Sequence, residues 1–178
     1  MAKVQPARKA AQGEAARPQS DRIVKSVTLH APLHRVWPAL TDAKAFGTWF
    51  GAEFDGSFTP GARITGRITP TQVDSEVAKM QEPYKGTPMT LDIERIDPMR
   101  LFSFRWHPFA SDRNVDYSKE PTTLVEFALE EEGDGTRLTL TESGFDRLPA
   151  ERRAEAYEAN AGGWEKQMEL VRKFLETH

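Results

Sequence analysis

The sequence predicts an α+β domain: a curved antiparallel sheet of six or seven strands wrapped around one long C-terminal helix, with two short helices after the first strand. Three observations carry that reading. Two alternating stretches, residues 123–130 and 137–143, flank Gly133-Asp134-Gly135, a turn chemistry suited to a hairpin. An amphipathic stretch then runs to the C-terminus, with Trp164, Met168, Val171 and Leu175 at helical spacing on one face. Near the front, Ala31-Pro32-Leu33 opens a short helix directly after a β-branched run. A single helix closing such a sheet buries its apolar stripe against the concave face, and a curved sheet cannot close completely under a straight rod. A cavity between the two is therefore expected.

Taken in order, residues 22–30 read as the first strand, rich in β-branched side chains. Pro32 at a first helical position and the spacing of Leu33, Val36, Trp37 and Leu40 give a short helix, which Pro38 kinks or shortens. Asp42 caps a second short helix through Phe46 that breaks at Gly47, leaving Trp49 and Phe50 on a connection. Residues 53–58 and 62–69 read as strands around Pro60-Gly61. Residues 70–88 carry Val73, Val77 and Met80 at helical spacing, so a short lid-like helix is expected there, with a solvated loop as the alternative. Residues 88–97 and 100–107 form the next hairpin, turning at Asp97-Pro98-Met99. Met89, Leu91 and Ile93 share one face, and Arg95 continues that parity inward. Pro149 starts the last helix, with a bend or interruption expected at Gly162-Gly163.

Composition bounds the function. At 178 residues the chain fits one domain with a substantial core, assigned to residues 21–178. The absence of cysteine excludes disulfides, thiolate metal sites and cysteine nucleophiles. No apolar run is long enough to span a bilayer and no signal-peptide apolar region follows Met1, so a soluble cytoplasmic protein without membrane insertion is expected. Residues 1–20 carry Lys3, Arg8, Lys9 and Arg17 against Glu14 and lack apolar periodicity, which predicts a disordered basic tail. The body is then more acidic than the net −3 of the chain, which argues against nucleic-acid binding. His30 and His34 straddle a strand–helix boundary, so no metal site is expected, and no phosphate-cradling loop, nucleophile elbow or dinucleotide fingerprint calls for a cofactor.

Several stretches now meet one family. Ala31-Pro-x-x-x-Val-Trp-x-Ala-Leu-Thr-Asp42, Phe46-Gly-x-Trp-Phe50, Arg100-Leu-Phe-Ser-Phe-x-Trp106, Thr141-Glu-Ser-Gly-Phe145 and Gly163-Trp164 resemble, in order and spacing, the START-like or Bet v 1-like (SRPBCC) helix-grip superfamily. Within it, the chain resembles the branch of homologues of the C-terminal domain of the Hsp90 ATPase activator. The resemblance covers roughly residues 21–177. It implies a small cavity protein for a lipid, polyketide or other apolar ligand, with cyclases and hydrolases a minority, and it admits a chaperone partner. Residues 70–88 look extended beside shorter relatives.

The aromatic set Trp49, Phe50, Phe104, Trp106, Phe109 and Trp164 surrounds the expected space, with Trp164 and Met168 as its roof. Glu142 shares a face with Leu138 and Leu140, and a carboxylate there needs a partner. It reads either as a polar anchor or general base facing a ligand, or as a structural partner of Arg95. His107 lies near Asp112, Asp116 and Tyr117 and is the other candidate acid–base residue, its plainer role being that of a rim group. The functional expectation is a domain binding one small apolar or amphipathic molecule, as monomer or homodimer. The alternatives are a cyclase- or hydrolase-type enzyme in the same cavity, or a chaperone-associated module using the outward row Arg63, Thr65 and Arg67.

Overall fold

The computed structural model describes residues 21–112 and 114–178, so the tail expected over residues 1–20 lies outside the described residues. Strand β1 (Arg22–Leu29) is followed by helices α1 (Leu33–Thr41) and α2 (Ala43–Phe50). Then come β2 (Ala52–Phe54), β3 (Arg63–Ile68), a short helix α3 (Ser75–Gln81), β4 (Pro88–Asp97), β5 (Leu101–Trp106), β6 (Thr123–Glu132) and β7 (Gly135–Ser143). Helix α4 (Ala150–Thr177) closes the chain. The strands form one antiparallel sheet in the order β1-β7-β6-β5-β4-β3-β2. Strands β2 to β7 are thus a meander, and β1 joins its far edge beside β7.

Alternation dictates which side chains meet α4. Val125, Phe127 and Leu129 on β6 and Leu138 and Leu140 on β7 are buried, as are Phe102 and Phe104 on β5. From α4, Trp164, Met168, Val171 and Leu175 meet them, each fully buried apolar side chain contributing about 1.5–3 kcal/mol. Phe46 sits at the centre of the aromatic packing, with the rings of Trp49, Phe50, Phe102 and Phe127 between 4.8 and 6.3 Å away.

Three local expectations are corrected. Helix α2 does not break at Gly47 but runs on to Phe50, so Trp49 and Phe50 are helical. Gly47 is there for closeness: a Cβ at that position would lie 2.2 Å from the carbonyl oxygen of Ala52. The helix ends instead at Gly51, whose φ of 97° only glycine adopts freely. Helix α4 is continuous through Gly162 and Gly163, because the apolar stripe on both sides of them is anchored and outweighs their poor propensity of about 1 kcal/mol each. Strand β4 carries a bulge between Ile93 and Arg95, where the register to β5 shifts. The extra residue reverses the parity, so Arg95 points to solvent and pairs with Asp97.

Residues 70–88 do contain a helix. Asp74 caps α3 by accepting from the amides of Glu76 and Val77 at 2.9 and 3.0 Å, and its other oxygen takes the Lys173 ammonium of α4. That ammonium, with the Val77 amide, holds the Asp74 carboxyl below the usual carboxylate range. Helix α3 is thereby tied to the last helix.

Candidate functional site

The sheet and α4 pack tightly along most of their contact and part company at one end. A cavity of about 790 Å³ opens there. The end of α2 contributes Phe50 and Gly51, the segment after α3 contributes Tyr84, Thr87 and Met89, and α4 contributes Ala159, Asn160 and Gln167. Trp106, at the end of β5, and the following loop supply the remaining wall, including His107, Phe109, Val115 and Tyr117.

Phe50 is fixed by its own carbonyl. Gln81 from α3 and Gln167 from α4 both donate to that oxygen at 3.0 Å, filling its two lone pairs. The Gln81 side-chain oxygen in turn accepts from the Thr71 amide at 2.7 Å. One cavity aromatic is therefore held by two elements distant in sequence, and the 70–88 segment forms the rim.

Glu142 lies directly behind this wall and is fully buried. Its Oε2 accepts from Trp106 Nε1 at 2.7 Å and Thr123 Oγ1 at 2.6 Å, and its Oε1 accepts from Asn160 Nδ2 and Trp164 Nε1, both at 2.8 Å. A carboxylate has about four lone-pair sites, and four donors fill them. No cation takes part in these hydrogen bonds; four neutral dipoles replace the lost hydration. Two of the four, Trp106 and Asn160, also face the cavity. Glu142 thus orients one aromatic and one amide of the wall from β7.

His107 lines the cavity with its Nδ1 buried and, among the described residues, without a hydrogen-bond partner. Burial is the main cause that pushes its imidazole below the ordinary histidine value; Arg152 and Arg63 push the same way, and Glu120 and Asp92 oppose them.

The residues expected at the site divide into four groups. Phe50, Trp106, Phe109 and His107 face the cavity. Trp49, Phe104, Trp164 and Met168 are buried but do not line it: the Trp49 indole donates to the Ala39 carbonyl at 2.8 Å, and Trp164 packs on Phe50, Trp106 and Phe127. The expected roof of Trp164 and Met168 is thus solid core, and the open volume lies to one side of it. Glu142 stands one layer behind the wall. Arg95 is outside, so the expected Glu142–Arg95 pair does not form and two indoles, a hydroxyl and an amide take its place.

Sequence reasoning missed Asn160, Gln167, Gln81 and Arg152. A signal existed for Asn160, since the stripe of Trp164, Met168, Val171 and Leu175 stepped back by one turn lands on it. The break expected at Gly162-Gly163 stopped that extrapolation.

The sequence model of the family described as "Activator of Hsp90 ATPase homolog 1-like protein" matches residues 30–176. The chain belongs to this family. With it comes membership of the START-like, Bet v 1-like superfamily and of its ligand-binding class of domain. No curated protein matches the chain. Solved structures of members of this fold are similar to it. One is DynU16, a protein of the dynemicin biosynthetic locus, with 22% identity and a TM-score of 0.62 over 88% of this chain. This chain spans 48% of DynU16, about half its length. MLL2253 from Mesorhizobium loti has 22% identity and a TM-score of 0.63, covering 87% of this chain and 96% of its own. CalU16 from Micromonospora echinospora has 24% identity and a TM-score of 0.56, covering 88% and 76%. At these identities the likeness shows the shared fold alone. No helix among the described residues of this family member is long and apolar enough to cross a membrane.

Proposed function

We propose that this domain binds one small apolar or amphipathic molecule in the cavity between α4, the 70–88 rim and the loop after β5. The observation that carries the reading is the wall itself. Phe50, Trp106, Phe109 and Tyr117 offer aromatic surface, Asn160, Gln167 and His107 add placed polar groups, and Arg63, Asp92, Asp112 and Asp116 add charge to the lining, which suits an amphipathic guest. A volume of about 790 Å³ falls in the range of small-molecule sites, roughly 300–1,000 Å³. The fixed carbonyl of Phe50 and the saturated Glu142 hold that wall in place before a ligand arrives, which reduces the ordering cost of binding. In this reading the protein works in the cytoplasm, as monomer or homodimer, and needs no cofactor.

Glu142 acts here by positioning Trp106 and Asn160. With four donors on its two oxygens it has no free lone pair with which to take a proton from a ligand, so of the two acid–base candidates read from the sequence only His107 is left to serve a cyclase or hydrolase. The chaperone alternative relied on the outward row of β3. Arg63 pairs with Asp92, Thr65 donates to Asp55, and Arg67 reaches Asp55 and Glu53, so the row is neutralised by its own neighbours.

Native mass spectrometry of the protein incubated with a mixture of fatty acids and planar aromatic compounds tests the reading. One molecule bound per chain, released on acid denaturation, is the expected result. A spectrum of unliganded protein alone across that mixture would remove the proposal.

A further inference from the structure

We infer that Arg152, on the first turn of α4, is the positioning residue that sets the cavity's aromatic wall, and that it acts through Phe109; the inference rests on the ligand-binding reading above. Arg152 is an anomaly where it stands. A cation in the first turn of a helix opposes the helix dipole, and α4 sets Arg152 and Arg153 against a single acidic residue there, Glu151. A local rule broken in this way signals a compensating role.

The compensation lies in the wall. Arg152 Nε donates to Glu120 Oε1 at 2.9 Å, Nη1 to the Phe109 carbonyl at 3.1 Å and Nη2 to the Pro108 carbonyl at 3.0 Å. Its guanidinium carbon stands 4.7 Å from the centre of the Tyr117 ring. The side chains of Arg152 and Glu120 are each only 17% exposed, so this pair is far less screened than a surface pair. One planar fork therefore grips the wall at both stems, Pro108–Phe109 on one side and Tyr117 with Glu120 on the other. Lysine, a point charge on a flexible stem, cannot make that set.

Phe109 shows why the grip is needed. Its φ of 50° is left-handed, a conformation disfavoured for a bulky side chain, and such strain persists only where the surroundings enforce it. Arg152 bonds the carbonyl before the Phe109 Cα, that of Pro108, and the one after it, that of Phe109 itself, so it fixes both peptide planes that set φ and ψ of Phe109, and the residue lines the cavity in that conformation. Without the guanidinium, Phe109 relaxes to negative φ and its ring leaves the wall.

The test is a double-mutant cycle on the full chain, read by equilibrium binding of dansyl-undecanoic acid. Arg152→Met keeps the apolar stem and removes the fork; Phe109→Ala removes the ring. R152M is expected to weaken the probe about tenfold or more, the scale of one lost charge-assisted hydrogen bond. F109A is expected to weaken it similarly, and the double variant to bind within about twofold of F109A alone, because residues acting through one another are not additive. The bound probe should emit further to the red in R152M than in wild type, as water reaches it. R152K is expected to recover only part of the affinity. Additive losses, or a folded R152M that binds like wild type, would overturn the inference while leaving the cavity reading intact. Failure of the wild type to bind the probe would instead overturn both. Should R152M not fold, Arg152→Lys, which keeps the charge beside Glu120 but lacks the fork, carries the same cycle with Phe109, and additivity there overturns the inference equally.

Discussion

Replacing Glu142 by glutamine changes one atom and is the sharpest probe of the site. The carboxylate accepts from Trp106 and Thr123 on one oxygen and from Asn160 and Trp164 on the other. An amide presents an NH₂ to one of these pairs whichever way it turns. Thr123 can rotate its hydroxyl to accept and Asn160 can flip its amide, but an indole N–H can only donate. One indole is therefore always left facing a donor in a fully buried place, at a cost of about 1–3 kcal/mol. The surviving bonds change from charge-assisted to neutral and lose about half their strength, partly offset because no charge is any longer desolvated. The net expectation is a loss of about 3 kcal/mol, or roughly 6–12 °C in melting temperature for a domain of this size. Glu142→Leu strands all four donors and should melt lower still. Thermal unfolding followed by circular dichroism and by tryptophan fluorescence measures both. An E142Q variant melting within about 2 °C of wild type would refute the network as the anchor of this end of the fold.

Two further predictions concern pH. Asp21 accepts from the Asp146 carboxyl, which raises Asp146 above and lowers Asp21 below the usual carboxylate value. The contribution of Asp146 is thus present in acid and fades as pH rises through its folded value, so Asp146→Asn, a permanent donor, should melt above wild type at pH 7 and level with it near pH 3; a pH-independent difference contradicts the pairing. Burial depresses His107, so its share of stability is present above about pH 6.5 and falls away as pH drops through the folded value. His107→Gln should therefore flatten the dependence of melting temperature on pH between about 7 and 5, and a slope equal to that of wild type would refute this.

The gross fold was legible because alternation and helical spacing are local. The strands around Gly133 and the stripe on α4 predict their own partners, and the inward parity of Glu142 survives because β7 is regular. Arg95 was misplaced because a β-bulge leaves no mark in an alternating pattern: Glu94 and Arg95 both tolerate solvent, and only the register with β5 shows the slip. Gly47 and Gly162-Gly163 read as helix breaks on propensity alone, and packing overrides propensity at both places. One sits against Ala52 where no side chain fits, and the others are carried by anchored turns on either side. The cavity lay off the expected axis because its position depends on where the sheet and α4 diverge. Phe50 and Trp106 sit at that mouth; Trp49 and Phe104, on neighbouring positions of the same elements, sit in the core. Gln81, Gln167 and Arg152 were invisible for a related reason, since each acts on a backbone carbonyl far away in sequence.

The central claim is that the open volume beside Trp106 is where a ligand sits, and filling that volume tests it most directly. Ala159 lines the cavity from α4, so Ala159→Trp occupies the space with little demand on the core. Titration of dansyl-undecanoic acid should saturate at one molecule per chain in wild type and weaken by about tenfold or more in A159W, with the melting temperature preserved. Equal affinity in the two proteins, or no saturable binding to wild type, would contradict the account.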